Sequence, residues 1–257
     1  MNALARTMGA RAWGPAIAGL ATVLVLAAVL QGAIGAGWIS GFVVSPPTQI
    51  VAAFSELLGG EDLAVAFGLT FAATFAASAL AALVGIPVGY LLYRRPLLGR
   101  AYESWIGALF SAPMVLLYPM FLVIFGRSIM VGIAMGFVVG AIPIVLKTRE
   151  GFLSVPPVLI NVARSFGADD AAILRKVLLP AARPSIFTGL RLCLIYAMIN
   201  VVGIEFLANL GGLGYLVGDM YDRYEIPAMY AANICVIVTS VVFYLLTGRL
   251  ERWLGGR

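Results

Sequence analysis

Charged side chains are concentrated in one interval of this chain, residues 147–190, within an otherwise apolar sequence. Two short amphipathic segments, 157–166 and 169–177, flank Gly167, and Pro180 closes the run. Apolar membrane spans need no such insert in order to fold. We therefore interpret the interval as a surface for contact with another protein. Its charged residues are Lys147, Arg149, Glu150, Arg164, Asp169, Asp170, Arg175, Lys176 and Arg183.

The residue types exclude several kinds of chemistry. The chain contains no histidine, which excludes histidine triads and histidine-ligated metal sites. Cys193 and Cys235 lie in separate apolar stretches and form no CxxC pair. Neither Lys147 nor Lys176 follows a glycine, so the chain has no P-loop for ATP. We expect no catalytic residue, metal or cofactor in this chain, and any ATP that the protein uses must be bound by another chain.

Glu205 is the one carboxylate within a predicted membrane span, where an ionisable group is costly. Two interpretations stay open: the carboxylate faces a cavity or a partner, or it lies near the outer end of its span and is wet. Together with Met114, Tyr118 and Met120, it is a candidate for lining a translocation path. The alternative for the two methionines and the tyrosine is ordinary helix packing.

These residues must be positioned by membrane-spanning helices. With 62% hydrophobic and 11% charged residues, the chain of 257 residues has too little polar surface for a soluble protein. The sequence therefore predicts an all-α polytopic membrane protein, one transmembrane domain over residues 1–257 with its core at 63–250. Apolar runs of about 20 residues mark transmembrane helices. Six are predicted, at about 15–34, 63–93, 105–125, 129–146, 186–207 and 228–246.

Three of these spans raise further expectations. A signal peptide is the competing interpretation of the first span, but its apolar run is longer than the roughly 7–15 residues typical of such peptides. The second span is rich in alanine and glycine, which lets helix backbones approach closely and predicts a central position. The third span contains Pro113 and Pro119, which should loosen a single helix.

A short amphipathic helix is predicted between the first and second spans. Thr48 is expected to cap it, and its apolar face consists of Ile50, Phe54 and Leu57. The acidic residues of this connection and the absence of Lys or Arg indicate a helix on the outer surface.

The distribution of basic residues predicts the orientation. An even number of spans places both termini on one side, and most basic residues fall on that side, whereas the other side holds only Arg127 and Arg223. The positive-inside rule then places the termini and the insert in the cytoplasm. The net charge of +5 is explained in the same way, so we expect membrane lipid and no nucleic acid as a partner. The basic residues beyond the insert on the side of the termini are Arg6, Arg11, Arg94, Arg95, Arg100, Arg191, Arg249, Arg252 and Arg257.

Residues 161–180 resemble the EAA loop of bacterial ABC importer permeases. The pattern of that family is Glu-Ala-Ala, three residues, Gly, nine residues, Ile, any residue, Leu-Pro, and the spacing here matches throughout. Asn161 and Val162 depart from its first two positions. The matching residues are Ala163, Gly167, Leu179 and Pro180, with Val177 in place of the isoleucine.

The resemblance implies the type I ABC importer permease fold, with residues 147–184 as a cytoplasmic coupling loop. The local sequence agrees, because Asp169 can cap a helix that starts just past Gly167. In the family, the coupling helix docks on a separate ATPase subunit, here through the segment 157–180. The residues that the resemblance assigns to ATPase coupling are Ala163, Gly167, Ala168, Asp169, Asp170, Ala171, Ala172, Leu174, Arg175, Val177, Leu179 and Pro180.

Within the family, the chain is most similar to the sulfonate, nitrate and taurine branch. That branch implies a bacterial inner-membrane permease for a small solute, working with ABC ATPase subunits, a periplasmic solute-binding protein and a second permease copy, as a homodimer. The rival hypothesis is a self-contained secondary transporter or channel, and a membrane enzyme is a third. The segments that carry the similarity are 45–46, 111–128, 178–191 and 205 with 211–217.

Overall fold

The protein is described by a computed structural model that covers residues 2–255, with side chains described for 17–60 and 62–251. Within these limits the secondary structure is helical and contains no strand. The orientation prediction also used basic residues whose side chains lie outside the described part, namely Arg6, Arg11, Arg252 and Arg257. The helices are α1 (Asn2–Gly35), α2 (Pro47–Gly59), α3 (Glu61–Arg94), α4 (Pro96–Ser111), α5 (Tyr118–Phe125), α6 (Ile129–Leu153), α7 (Pro157–Ser165), α8 (Asp170–Ile173), α9 (Leu179–Ala208), α10 (Leu213–Asp222) and α11 (Ile226–Gly255).

The predicted spans are confirmed as long apolar helical stretches, with one exception. By length and composition, five stretches of the described chain can cross a membrane, and a bent helix pair supplies a sixth crossing if it counts as one span. The five are Ile17–Gly35, Asp62–Arg94, Ile129–Leu153, Asp170–Asp222 and Ile226–Glu251.

The exception is the third span, where the prediction of one helix over 105–125 is wrong. Helix α4 ends at Ser111, and the following segment, a 3-10 turn at Met114–Leu117 continued by α5, is bent from it by 86°. Pro113 explains the break, because proline disfavours helical backbone at the residue before it. Ala112 accordingly has extended angles of φ −75° and ψ 143°. Pro119 lies in the first turn of α5, where no backbone N–H is needed, and it causes no break.

Two compact units are distinguished, one formed by residues up to 60 with 220–233 and the other by 61–219 with 234 onward. In the first unit, Ile50, Phe54 and Leu57 form the less exposed face of α2, as predicted. The predicted cap by Thr48 is wrong. Helix α2 begins at Pro47, and its N-cap position is taken by Pro46, which has no side-chain acceptor. The Thr48 hydroxyl instead lies 3.4 Å from Gln31 Oε1.

The second unit is built on α3, α6 and α9, which pack against one another. Ala81, Ile144 and Cys193 form a buried cluster at their junction. The central position predicted for the second span is confirmed, because α3 approaches α6 closely at small residues. A Cβ atom on Gly89 would lie 2.8 Å from the carbonyl oxygen of Val145, so only glycine fits there.

The insert is a continuation of the transmembrane helices. Helix α6 runs on to Leu153, and α8 passes into α9 through a π turn at Leu174–Leu178. A buried cluster, which we call the insert core, joins these parts. Its buried members are Phe152, Val155, Ile173, Leu178 and Ala182. The rings of Tyr90 and Tyr93, near the end of α3, each lie 5.4 Å from that of Phe152.

Candidate functional site

The insert turns between α7 and α8 at Gly167. This residue has φ +77°, a left-handed conformation that glycine adopts without strain. The N–H of Ala168 donates to the Ala163 carbonyl at 3.1 Å, which closes the end of α7. The predicted cap on the other side of the turn is confirmed, since the N–H of Ala172 donates to Asp169 Oδ1 at 2.7 Å.

An ion pair connects the insert to the end of α3. Arg94 Nη2 donates to Asp170 Oδ2 at 2.7 Å. The hydrogen bond and the charge of Arg94 hold the pKa of Asp170 below its ordinary value, so this carboxylate is ionised at neutral pH. Because both side chains are largely exposed, the pair contributes little to global stability. It does place Asp170 next to a second transmembrane helix.

The residues assigned to ATPase coupling divide between an inner and an outer face. The apolar members Ala163, Ala168, Leu174 and Val177 pack against the insert core. Ala172 is half-buried. The exposed members are Gly167, Asp169, Asp170, Ala171, Arg175, Leu179 and Pro180.

The sequence reasoning missed an exposed apolar surface formed by α7 and its C-cap residue, Phe166. Val158, Val162 and Phe166 follow one another at intervals of four residues and are 61%, 48% and 87% exposed. Side chains four residues apart lie on one helix face, so the three form a continuous strip. We call it the docking stripe. The four-residue spacing of these apolar residues is visible in the sequence, but spacing alone does not show whether such a helix face is exposed or buried. Ile160 and Ala163 form the buried side of this segment instead.

Glu205 is enclosed by the start of α10. The Thr70 hydroxyl lies 2.9 and 2.8 Å from the two carboxylate oxygens and donates to them, and the Gly214 N–H donates to Oε2 at 3.1 Å. Thr70 in turn accepts from the Leu213 N–H at 2.9 Å. Glycine is required at position 214, because a side chain there would collide with the backbone of α9.

This arrangement decides between the two interpretations of Glu205. The residue is 5% exposed, so the interpretation as a wet group near the outer end is wrong. The only space that it borders among the described cavities is a void of about 10 Å³, too small for a solute. Its partners lie within the chain, and it joins α3, α9 and the first turn of α10.

The other candidates for the translocation path occupy different surroundings. Met114 lines a cavity of about 280 Å³ beside the break in the third span. Tyr118 packs against the buried cluster that contains Val131 and Met135. Met120 is 51% exposed on α5. The polar side chains of the cavity wall, Tyr196 and Asn200, were not singled out from the sequence, although Asn200 is a polar residue inside the predicted fifth span.

Comparison with known proteins adds a family match. Residues 81–256 match the family described as "Binding-protein-dependent transport system inner membrane component". A probable ABC transporter permease of Brucella melitensis is 31% identical over 167 residues, which cover 65% of this chain and 66% of that protein. The nitrate import permease NrtB of Synechococcus elongatus is 29% identical over 180 residues, covering 68% of this chain and 63% of that protein. The chain thus spans just under two thirds of the length of these relatives.

Similarity to solved structures extends further along the chain. The inward-facing MetNI methionine ABC transporter has a chain that is 26% identical, with a TM-score of 0.66 over 76% of this chain and 97% of that one. An amino acid ABC transporter is 20% identical with a TM-score of 0.60, which shows a shared fold. The all-helical arrangement is therefore that of type I ABC importer permeases.

Proposed function

This chain belongs to the family of binding-protein-dependent transport system inner membrane components, and we propose that it is the permease subunit of an ATP-binding-cassette importer. The observation that carries the proposal is the helical insert. It is continuous with the membrane helices α6 and α9, and it exposes the apolar docking stripe. An exposed apolar surface of this kind marks a protein interface. The partner that fits it is a separate ATPase subunit, since the chain has no P-loop of its own.

The surface proposed for ATPase contact combines the docking stripe with the exposed residues of the turn, Asp169 to Arg175. Ile160 and Ala163, on the side of α7 that faces away from the docking stripe, pack against the insert core, so a displacement of α7 must move the core. The core is continuous with α9 through the π turn and contacts α3 through Tyr90 and Tyr93. Closure of the ATPase subunits would therefore reach two membrane helices at once, as hinge-type switching requires.

The remaining parts of the proposal concern topology and partners. The coupling loop at 147–184 and both termini lie in the cytoplasm of a bacterial inner membrane, within one permease domain over 1–257 whose core is 63–250. A second copy of the chain completes the path, and a periplasmic binding protein delivers the solute. We propose a small sulfonate, nitrate, taurine or a similar compound as that solute. The similarity to the nitrate import permease NrtB supports this class.

The function is tested by reconstitution in proteoliposomes. The permease is combined with a candidate ABC ATPase and a candidate binding protein of the same organism, and uptake of labelled nitrate, bicarbonate and taurine is measured with and without ATP. Uptake should require all three components and ATP. Uptake that persists without the ATPase would show a self-contained transporter and overturn the proposal.

The docking stripe provides a sharper test. Phe166→Ser removes the most exposed apolar side chain of the stripe, and we expect about tenfold weaker association with the ATPase, because such anchors dominate interfaces. Association is measured by pull-down from detergent extracts. Leu153→Ser is the matched control: Leu153 is 56% exposed and lies in the same insert, but outside the stripe. Equal losses in the two variants would show that the stripe is not the contact.

A further inference from the structure

The break in the third span borders a cavity. Ala112 and Met114, on the two sides of the break, line this space of about 280 Å³ together with residues of α6 and α9. Within the membrane, non-helical backbone is tolerated only where it is buried in protein or lines a water-filled cavity. Because Ala112 lines this cavity, the second condition is the one that it meets. The break therefore lies beside a water-accessible space, whose wall is apolar except for Tyr196 and Asn200.

Two polar side chains of α9 face this space. Asn200 and Tyr196 are four residues apart, on the same side of the helix, and both line the cavity. Asn200 Nδ2 donates to the main-chain oxygen of Tyr196 at 2.9 Å, which orients the carboxamide and leaves its second N–H for a ligand. The Phe110 ring meets the Tyr196 ring edge-on at 4.8 Å and holds the phenol in place. Both donors are thus positioned before a solute arrives.

The cavity contains no fixed charge. Its lining residues are all uncharged. Glu205, the acidic residue of the same helix, is turned toward Thr70 and Gly214 and is 5% exposed. A negatively charged solute would therefore meet hydrogen-bond donors without a facing carboxylate. The absence of a fixed cation keeps such binding weak, which a conducting site needs so that the solute can leave.

We propose that this cavity is a solute subsite, in which the Asn200 carboxamide and the Tyr196 hydroxyl donate hydrogen bonds to the oxyanion group of the passing solute. Carboxylates, sulfonates and nitrate share that group. The inference rests on the proposed function, because it requires that a solute passes through this chain. It adds the residues that contact the solute and the chemistry by which they recognise it.

The test uses cysteine reactivity, which does not depend on knowing the natural solute. Met114→Cys is placed in a background with Cys193→Ala and Cys235→Ala, and the complete complex is purified in lipid nanodiscs. Rates of modification are measured with MTSES, which carries a sulfonate, and with MTSET, which carries a trimethylammonium group. We expect both reagents to reach Cys at 114. Adding Asn200→Leu should slow MTSES by about tenfold, since a charge-assisted hydrogen bond is lost, and leave MTSET unchanged.

Two further variants make the result specific. Asn200→Asp keeps the side-chain shape and should reverse the preference, so that MTSET reacts faster than MTSES. Asn233→Leu is the matched control, because Asn233 makes the same bond to the carbonyl four residues earlier, at 3.1 Å, and is not part of the cavity lining. It should leave both rates unchanged.

Three outcomes would overturn the subsite: no reaction at position 114, equal slowing of both reagents by Asn200→Leu, or no effect of Asn200→Leu. Co-purification of the ATPase with the same preparation is scored separately. A permease that fails to retain the ATPase but shows the reagent preference would contradict the proposed coupling to an ATPase, while the solute contact in this cavity would stand. The reverse result would remove the subsite alone.

Discussion

Glu205 carries its carboxylate at a point where three helices of the second unit meet. Thr70 on α3 and Gly214 on α10 both donate to it, and these partners are far apart in the sequence. A buried donor that loses its acceptor costs about 1–3 kcal/mol, more than a hydrogen bond contributes net. The carboxylate is thus a structural connection, and its main effect is to hold the first turn of α10 against α9.

Glu205→Leu should lower the free energy of unfolding by about 2–4 kcal/mol, because it leaves the Thr70 hydroxyl and the Gly214 N–H without an acceptor. Glu205→Gln keeps an acceptor oxygen and should lose less than half of that. Unfolding is followed by tryptophan fluorescence during SDS titration in mixed micelles. Glu56→Gln, at an exposed position on α2, should stay within about 0.5 kcal/mol of the parent. Equal stability of the Leu variant and the parent would contradict this role.

The closely packed helices and the interrupted helix pair have different roles. Helices α3, α6 and α9 pack through small residues, which sets their spacing in lipid, where van der Waals contact replaces the hydrophobic driving force. The pair α4 and α5 is interrupted by Pro113, and the end of α4 and the break itself border the cavity. The packed helices supply a rigid frame, and the interrupted span supplies the opening beside it.

The close packing leads to a prediction about two glycines of α3. Gly89→Ala should destabilise the protein by about 1–3 kcal/mol, because its Cβ would lie 2.7 Å from Thr148 Cβ and 2.8 Å from the Val145 carbonyl, which forces α3 and α6 apart. Gly68→Ala is the matched control, since no atom lies within 4 Å of its Cβ position. It should be neutral or stabilising by up to about 1 kcal/mol. Thermal unfolding in detergent compares the two, and equal shifts would show that the contact is not tight.

For the whole molecule, contact between the docking stripe and a cytoplasmic ATPase requires a fixed orientation of the second unit in the membrane. The docking stripe can reach a cytoplasmic ATPase only if the bent pair α4 and α5 crosses the membrane once. A pair that returned to its starting side would place the turn at 126–128 in the cytoplasm, with the end of α3. The Arg94–Asp170 ion pair holds the insert beside the end of α3, so the bent pair and α6 must each cross the membrane once.

Labelling with a membrane-impermeant maleimide tests whether the bent pair crosses once. Ser128→Cys, just before α6, should be labelled in intact spheroplasts, because it lies on the outer side if the pair crosses once. Ser154→Cys, just after α6, should be labelled only when the membrane is permeabilised. The native thiols of Cys193 and Cys235 are buried and give a low background. Labelling of both variants only after permeabilisation would refute a single crossing by the bent pair.

The sequence alone determined the helical class, most of the spans, the insert and its Gly167 turn with the Asp169 cap. Each of these depends on apolar run length, charge balance or local backbone chemistry, which act within about twenty residues. The tertiary structure decided the 86° break at Pro113, the enclosure of Glu205, and the face of α7 that stays exposed. Hydropathy could not show these features, because they depend on which distant helices approach: Thr70 lies 135 positions from Glu205, and the insert core takes the other side of α7.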